Sequence, residues 1–200
     1  MMKELVIASR NEKKIEEIKE ILKGLNLKIF TLKDFPEIPL VKEDGETFRE
    51  NAMKKSQECQ RLIGKVVLGE DSGLEVFALG GAPGVYSARF AGREQDDKKN
   101  IAKLLKLLKN VPEKKRKAAF KSVVAVTFAG GKTKIVSGTY SGWINFKPKG
   151  SFGFGYDPVF IAPEYQKTFA ELSPEVKNRI SHRAKALRKA KKILEKVLAV

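Results

Sequence analysis

The sequence predicts a mixed α/β domain, and three observations carry that reading. Short apolar runs alternate with amphipathic stretches of helical period through the first half. Two long strand-like runs flank the pair Gly130-Gly131 further on. The chain then closes on amphipathic helical segments.

Leu5 to Ala8 is an apolar run that reads as the first strand. Ser9-Arg10-Asn11 turns the chain, and Asn11 can cap a helix that carries Ile15, Ile18, Ile21 and Leu22 on one face and stops at Gly24. Leu27 to Leu32 is a second strand, followed by a loop with Pro36 and Pro39. Thr47 and Glu50 have capping-box spacing at the head of a helix that Gly64 ends. Val66-Val67-Leu68 is a third strand, with Glu70-Asp71-Ser72-Gly73 directly after it and an extended segment over Leu74 to Leu79. Gly80 to Gly84 is a loop, and a helix covers about Glu94 to Lys109. Ala118 to Ala129 and Thr133 to Ile144 pair as a hairpin. Val159-Phe160-Ile161 is a short strand, and Ser173-Pro174 opens a helix. A last helix runs from about His182 with Leu187, Ala190, Leu194 and Val197 as its stripe.

The composition narrows the function class. The chain has 200 residues, 42% of them hydrophobic, which fits one full core or two lobes and excludes a disordered polymer. Lys plus Arg is 40 against 24 Asp plus Glu, a formal net charge of +16, which suits a polyanion: nucleic acid, anionic lipid or nucleotide phosphates. Cys59 is the lone cysteine, so no internal disulfide forms, and a packing role in a reducing compartment is expected. No stretch approaches the roughly 20 apolar residues that span a bilayer. The Lys114-Lys115-Arg116-Lys117 run and the last helix, with seven Lys/Arg and one Glu after His182, read as solvated basic faces.

Five stretches have chemical potential. Ser9-Arg10-Asn11-Glu12-Lys13-Lys14 sets a strand-turn-helix junction beside lysines, which suits phosphate. It lacks the glycines of a Walker loop. Glu43-Asp44-Gly45 with Glu50-Asn51, and Glu70-Asp71-Ser72-Gly73, supply carboxylates, and those after a strand lie where open α/β sheets bind ligands. Such carboxylates suit a hard cation that substrate phosphates complete. Ser151-Phe152-Gly153-Phe154-Gly155-Tyr156-Asp157-Pro158 interleaves glycine with aromatics and suits a flat ligand. Lys177-Asn178-Arg179-Ile180-Ser181-His182-Arg183 holds the only histidine, without the companions a zinc site needs.

In their order these stretches resemble the inosine/xanthosine triphosphate pyrophosphatase family. The similarity is carried by Ser9-Arg10-Asn11 with Lys14, Glu43-Asp44-Gly45, Thr47-Phe48 with Glu50-Asn51-Ala52, Glu70 to Leu74, Gly80 to Gly92, Gly153 to Phe160, and Ile180 to Arg183. The resemblance implies an elongated α/β fold over residues 1–200, one domain of two lobes around a mixed sheet flanked by helices with a central nucleotide-binding cleft. It implies a cytoplasmic homodimer and Mg²⁺-dependent conversion of dITP, ITP and XTP to the monophosphate and pyrophosphate, which clears deaminated purines from the nucleotide pool. Neither a membrane nor nucleic acid as substrate is expected.

Residue by residue, it implies that Ser9, Arg10, Asn11, Glu12, Lys13 and Lys14 hold the triphosphate. Glu43 and Asp71 hold Mg²⁺, Asp71 activates water, and Ser72 touches substrate. Phe154, Gly155, Tyr156 and Asp157 hold the base, with Phe154 stacking. Lys177, His182 and Arg183 contact phosphates and the 6-oxo group. Arg10 stands where a small residue is usual, and Glu70 where many members have aspartate. Two other readings compete: a phosphohydrolase for modified pyrimidine nucleotides, and a basic nucleic-acid-binding module. The latter gains nothing from Glu43 and Asp71.

Overall fold

The computed structural model describes residues 3–92 and 95–198. A seven-stranded sheet runs in the order β2-β1-β3-β4-β5-β6-β7. Its strands are β1 (Lys3–Ile7), β2 (Leu27–Thr31), β3 (Val66–Val76), β4 (Lys117–Thr127), β5 (Thr133–Ile144), β6 (Phe160–Ala162) and β7 (Lys167–Thr168). The helices are α1 (Glu12–Leu22), α2 (Phe48–Ile63), α3 (Asp97–Leu107), α4 (Pro174–Ile180) and α5 (His182–Leu198). Strand β1 pairs in parallel with β2 and β3, whereas β5–β6 and β6–β7 are antiparallel, so the sheet is mixed as expected.

The local signals explain the element ends. Asn11 accepts the Lys14 amide and opens α1. Thr47 and Glu50 form a reciprocal capping box on α2, and Gly64 closes it in the left-handed conformation. Ser173 caps α4 ahead of Pro174. Glu50 is thereby given a capping task, its carboxylate accepting from the Glu46 and Thr47 amides.

The chain divides into two compact units: residues 1–71, 122–138 and 183–200 in the first, and 72–121 with 139–182 in the second. In the first, α1 and α5 set Ile15, Ile18, Leu22, Leu187, Ala190 and Leu194 against Leu5, Ile7, Leu68 and Val124 of the sheet. Cys59 and Val67 pack with Val6 and Ile38 in a smaller cluster, and burial pushes the Cys59 thiol up to about 11, as befits a packing residue. In the second, Leu104 and Leu108 pack with Phe120, Tyr140, Phe160 and Phe169.

Four expectations need correction. Glu70 and Asp71 do not follow a strand; they lie inside β3, which runs on for 11 residues to Val76. Ion-pair partners let that strand carry buried charge, which composition alone does not reveal. The extended reading of Leu74 to Leu79 fails at Phe77–Leu79, a 3₁₀ turn that Gly80 ends. The helix read from Glu94 begins at Asp97 behind the Asp96 cap and ends at Leu107, and Glu94 lies outside the described residues, as does the side chain of Val197. The basic run at 114–117 is not wholly solvated, because Arg116 is only 2% exposed. Its guanidinium donates to the carbonyls of Leu108 (2.7 Å), Val111 (3.1 Å), Ile144 (3.3 Å) and Asn145 (2.9 Å), with the Phe146 ring against it at 4.1 Å.

Candidate active site

The first unit gathers acidic and basic side chains from α1, α2, β3 and the loop before α2. Helix α2 turns an unusual face to the sheet: Asn51, Lys55 and Ser56 are buried there where apolar residues would ordinarily lie. That face comes very close to β3. A Cβ on Gly69 would lie 2.4 Å from the Ala52 carbonyl oxygen, so only glycine lets α2 approach. Asp71, two residues further along β3, then meets the α2 side chains of Asn51 and Lys55.

Asp71 is 5% exposed. Its Oδ2 accepts from Asn51 Nδ2 at 3.1 Å, and its Oδ1 lies 3.5 Å from Lys55 Nζ. The same ammonium is 3.1 Å from Glu43 Oε2. Glu43 and Asp71 are also within hydrogen-bonding reach of each other. Their ionisation is driven apart. Burial raises the Asp71 carboxyl above the usual range; Glu43 and Glu70 add to that rise, and Lys55 and Lys14 oppose it without cancelling it. For Glu43, burial acts in the same direction, but Lys55 and Lys14 outweigh it and hold the carboxyl low. The two carboxyls titrate as a coupled pair in which Asp71 is the harder to ionise. Lys55 stays a cation: burial disfavours its charge, and Asp71, Glu43 and Glu70 more than restore it.

Glu70 points the other way from the strand. Its Oε1 accepts from Ser122 Oγ at 2.8 Å and Arg183 Nε at 3.2 Å, and its Oε2 pairs with Lys14 Nζ at 3.0 Å. Burial opposes its charge, yet Arg183, Lys14 and Lys55 hold it well below the usual carboxylate value. Arg183 also pairs with Glu17 of α1. The structure thus places Arg183 in a buried ion network, 2% exposed.

The strand-to-helix turn is divided in its tasks. Ser9 Oγ accepts the Asn11 amide, and Asn11 caps α1. Arg10 donates to the Ile38 carbonyl at 2.9 Å, tying the turn to the loop that leads to Glu43. Glu12 pairs with Lys33, and Lys13 is exposed. Lys14 joins the acidic cluster through its pair with Glu70.

The second unit holds the aromatic stretch. Asp157 Oδ2 accepts the Phe154 amide at 2.8 Å and pairs with Lys177 Nζ at 2.5 Å. That ammonium also lies 4.8 Å from the centre of the Phe154 ring. Tyr156 is buried and donates to the Ser87 carbonyl at 2.9 Å, which makes it a wall of the loop. The Gly155 amide donates to Asp97 Oδ2 at 2.7 Å. His182 is 3% exposed and stacks on Phe120, ring centres 4.6 Å apart. Ser72 follows Asp71 on β3 and is half-buried.

Sequence reasoning placed Asn51 in a candidate stretch without giving it a task, and did not single out Lys55 or Asp97. The signal for the first two was available: Asn51 and Lys55 are four residues apart on one helical face, where the apolar stripe of α2 should have been. Asp97 gave no signal, because its partner is 58 residues away in sequence.

Glu43 and Asp71 are hard oxygen donors. Among the described residues no three His, Cys, Asp or Glu side chains gather into a metal cage. The pair fits a divalent cation whose remaining ligands come from phosphate and water. No helix among the described residues is long and apolar enough to cross a membrane.

The chain matches the Ham1 family over residues 5–193. It is 49% identical to the dITP/XTP pyrophosphatase of Desulforamulus reducens over 193 residues, 96% of each chain. It is 45% identical to the dITP/XTP pyrophosphatase of Bacillus subtilis over 195 residues, 98% of each. The solved Staphylococcus aureus Ham1 protein superposes with a TM-score of 0.87 at 43% identity, covering 96% of this chain and 98% of that one. A HAM1 protein from Coxiella burnetii gives 0.89 at 39%, covering 98% and 100%.

Proposed function

The chain belongs to the Ham1 family, and from that membership we propose that it hydrolyses deaminated purine nucleoside triphosphates (dITP, ITP and XTP) to the monophosphate and pyrophosphate. The observation that carries the chemistry is the Glu43–Lys55–Asp71 cluster, two carboxylates whose ionisation is driven in opposite directions around one buried ammonium. Environments that push paired carboxylates apart assign them different tasks. Relatives that share almost the whole chain are named for this activity.

Phosphoanhydride hydrolysis needs positioning and charge neutralisation more than covalent chemistry. Lys14 and Lys55 offer ammonium groups to the triphosphate. Glu43 and Asp71 would hold Mg²⁺, which when bound neutralises phosphate charge and makes water more acidic. Asp71 takes the proton from the attacking water; its raised pKa makes it a better base than an ordinary aspartate. Asn51 fixes the Asp71 carboxylate by its bond to Oδ2. Phe154 provides a face for the purine, held by Asp157 and Lys177. His182 and Arg183 lie at the head of α5, where each is packed as described above. With Lys177, they would contact the phosphates and the 6-oxo group of the base. The working unit is a cytoplasmic homodimer.

Pyrophosphate release from ITP, XTP, ATP and GTP, each with Mg²⁺ and with excess EDTA, tests the reading. Metal-dependent release that is much faster for ITP and XTP is expected; no release from any would overturn it. Asp71→Asn should abolish turnover while the variant still melts cooperatively and binds ITP. Full activity in that variant would remove Asp71 as the base.

A further inference from the structure

We propose that Asp97 is a positioning residue for base recognition, holding the Phe154 platform through the Gly155 amide. This rests on the reading of Phe154 to Asp157 as the base-holding loop. Helix α3 begins with two aspartates, and only one is needed to cap it. Asp96 Oδ1 accepts the Lys98 amide at 2.8 Å and the Lys99 amide at 3.1 Å. Asp97 is left out of that cap. Its Oδ2 reaches instead across 58 residues of sequence to the Gly155 amide, at 2.7 Å. A carboxylate accepting from a backbone amide is among the stronger neutral-donor bonds.

The rest of the loop shows why this bond matters. Ser151 and Phe152 both donate to the Ala170 carbonyl at 3.0 Å, which anchors the loop's entry. The Phe154 amide goes to Asp157 Oδ2, and the Tyr156 hydroxyl goes to the Ser87 carbonyl. Gly155 lies between these anchors, and Asp97 is the partner of its amide. The bond therefore completes a row of restraints on either side of the Phe154 ring. It also engages the Gly155 N–H, so that group is a fixed point of the loop and not a donor for the base edge.

The test separates base from phosphate. Binding of inosine monophosphate and of inorganic tripolyphosphate is measured by calorimetry for the wild type and for Asp97→Ala, Asp97→Asn and Asp96→Ala. Asp97→Ala should weaken inosine monophosphate about tenfold, the size of one lost hydrogen bond to a charged group, and leave tripolyphosphate unchanged. Asp97→Asn keeps an acceptor oxygen and should restore most of the affinity. Asp96→Ala should lower the melting temperature through the lost cap without changing either affinity. The proposal is overturned if Asp97→Ala binds inosine monophosphate as the wild type does, if it loses both probes alike, or if Asp96→Ala weakens inosine monophosphate equally. Should Asp97→Ala fail to melt cooperatively, the milder Asp97→Asn decides: it must then bind inosine monophosphate within about threefold of wild type and better than any other substitution there that folds. Failure of the wild type itself to bind inosine monophosphate would instead sink the base-holding reading of the loop.

Discussion

Lys55 shows how one buried cation sets the chemistry of two acids. It lies within 3.1 Å of Glu43 and 3.5 Å of Asp71, and it lowers both carboxyls against the burial that raises them. Removing the ammonium in Lys55→Met should therefore raise Asp71 further. Because the base must be ionised, activity is lost as pH falls through the Asp71 value, and the acid limb of kcat/KM should move to higher pH in the variant. A limb that stays in place, or moves to lower pH, would show that Lys55 does not tune Asp71. The sequence displayed Asp71 but not its regulator, since a lysine in a charged helix is ordinarily solvated. The same holds for Glu70, whose partner Arg183 is 113 residues distant. Residue types marked the acids; only the fold shows which cations face them.

At the scale of elements, the helix ends were legible because capping is local. Asn11, the Thr47–Glu50 box, Gly64 and Ser173 each act within four residues of their partners. What was not legible is why α2 and β3 can touch. The approach rests on Gly69, where a Cβ would also meet the Ser56 amide nitrogen at 2.8 Å. Backbone atoms on α2 cannot swing aside as a side chain does. Gly69→Ala should cost about 1–3 kcal/mol in urea unfolding and should also lower kcat, because α2 carries Asn51 and Lys55 away from Asp71 as it retreats. Loss of stability with kcat unchanged would show that the helix shifts without disturbing the cluster. The position of Glu70 and Asp71 within β3 was misread for a related reason: carboxylates ordinarily mark the end of a strand, and here they are its buried centre.

For the whole molecule, the chain crosses between its two compact units repeatedly. Strands β3, β4 and β5 each begin in one unit and end in the other. A strand cannot melt over half its length and keep its register in the other half at no cost, so the units should unfold together. Trp143, the sole tryptophan, sits in the part of β5 that belongs to the second unit. Its fluorescence should follow the same thermal transition as far-UV ellipticity, which averages over every helix. Two separated midpoints would show independent units. The basic balance of +16 was plain from composition, and it is met inside the molecule by acids at the points that matter: Glu70, Glu43 and Asp71 are each paired with lysine or arginine.

Arg116 has a bearing on how this sequence can change over generations. All four oxygens that receive its guanidinium belong to peptide groups, those of Leu108, Val111, Ile144 and Asn145. Every residue type supplies such an oxygen. The four positions are therefore at liberty to drift in side-chain identity as far as packing allows, while the bonds persist. The constraint collapses onto a single codon, and a lineage that loses the arginine has no substitution at its partners that restores what was lost.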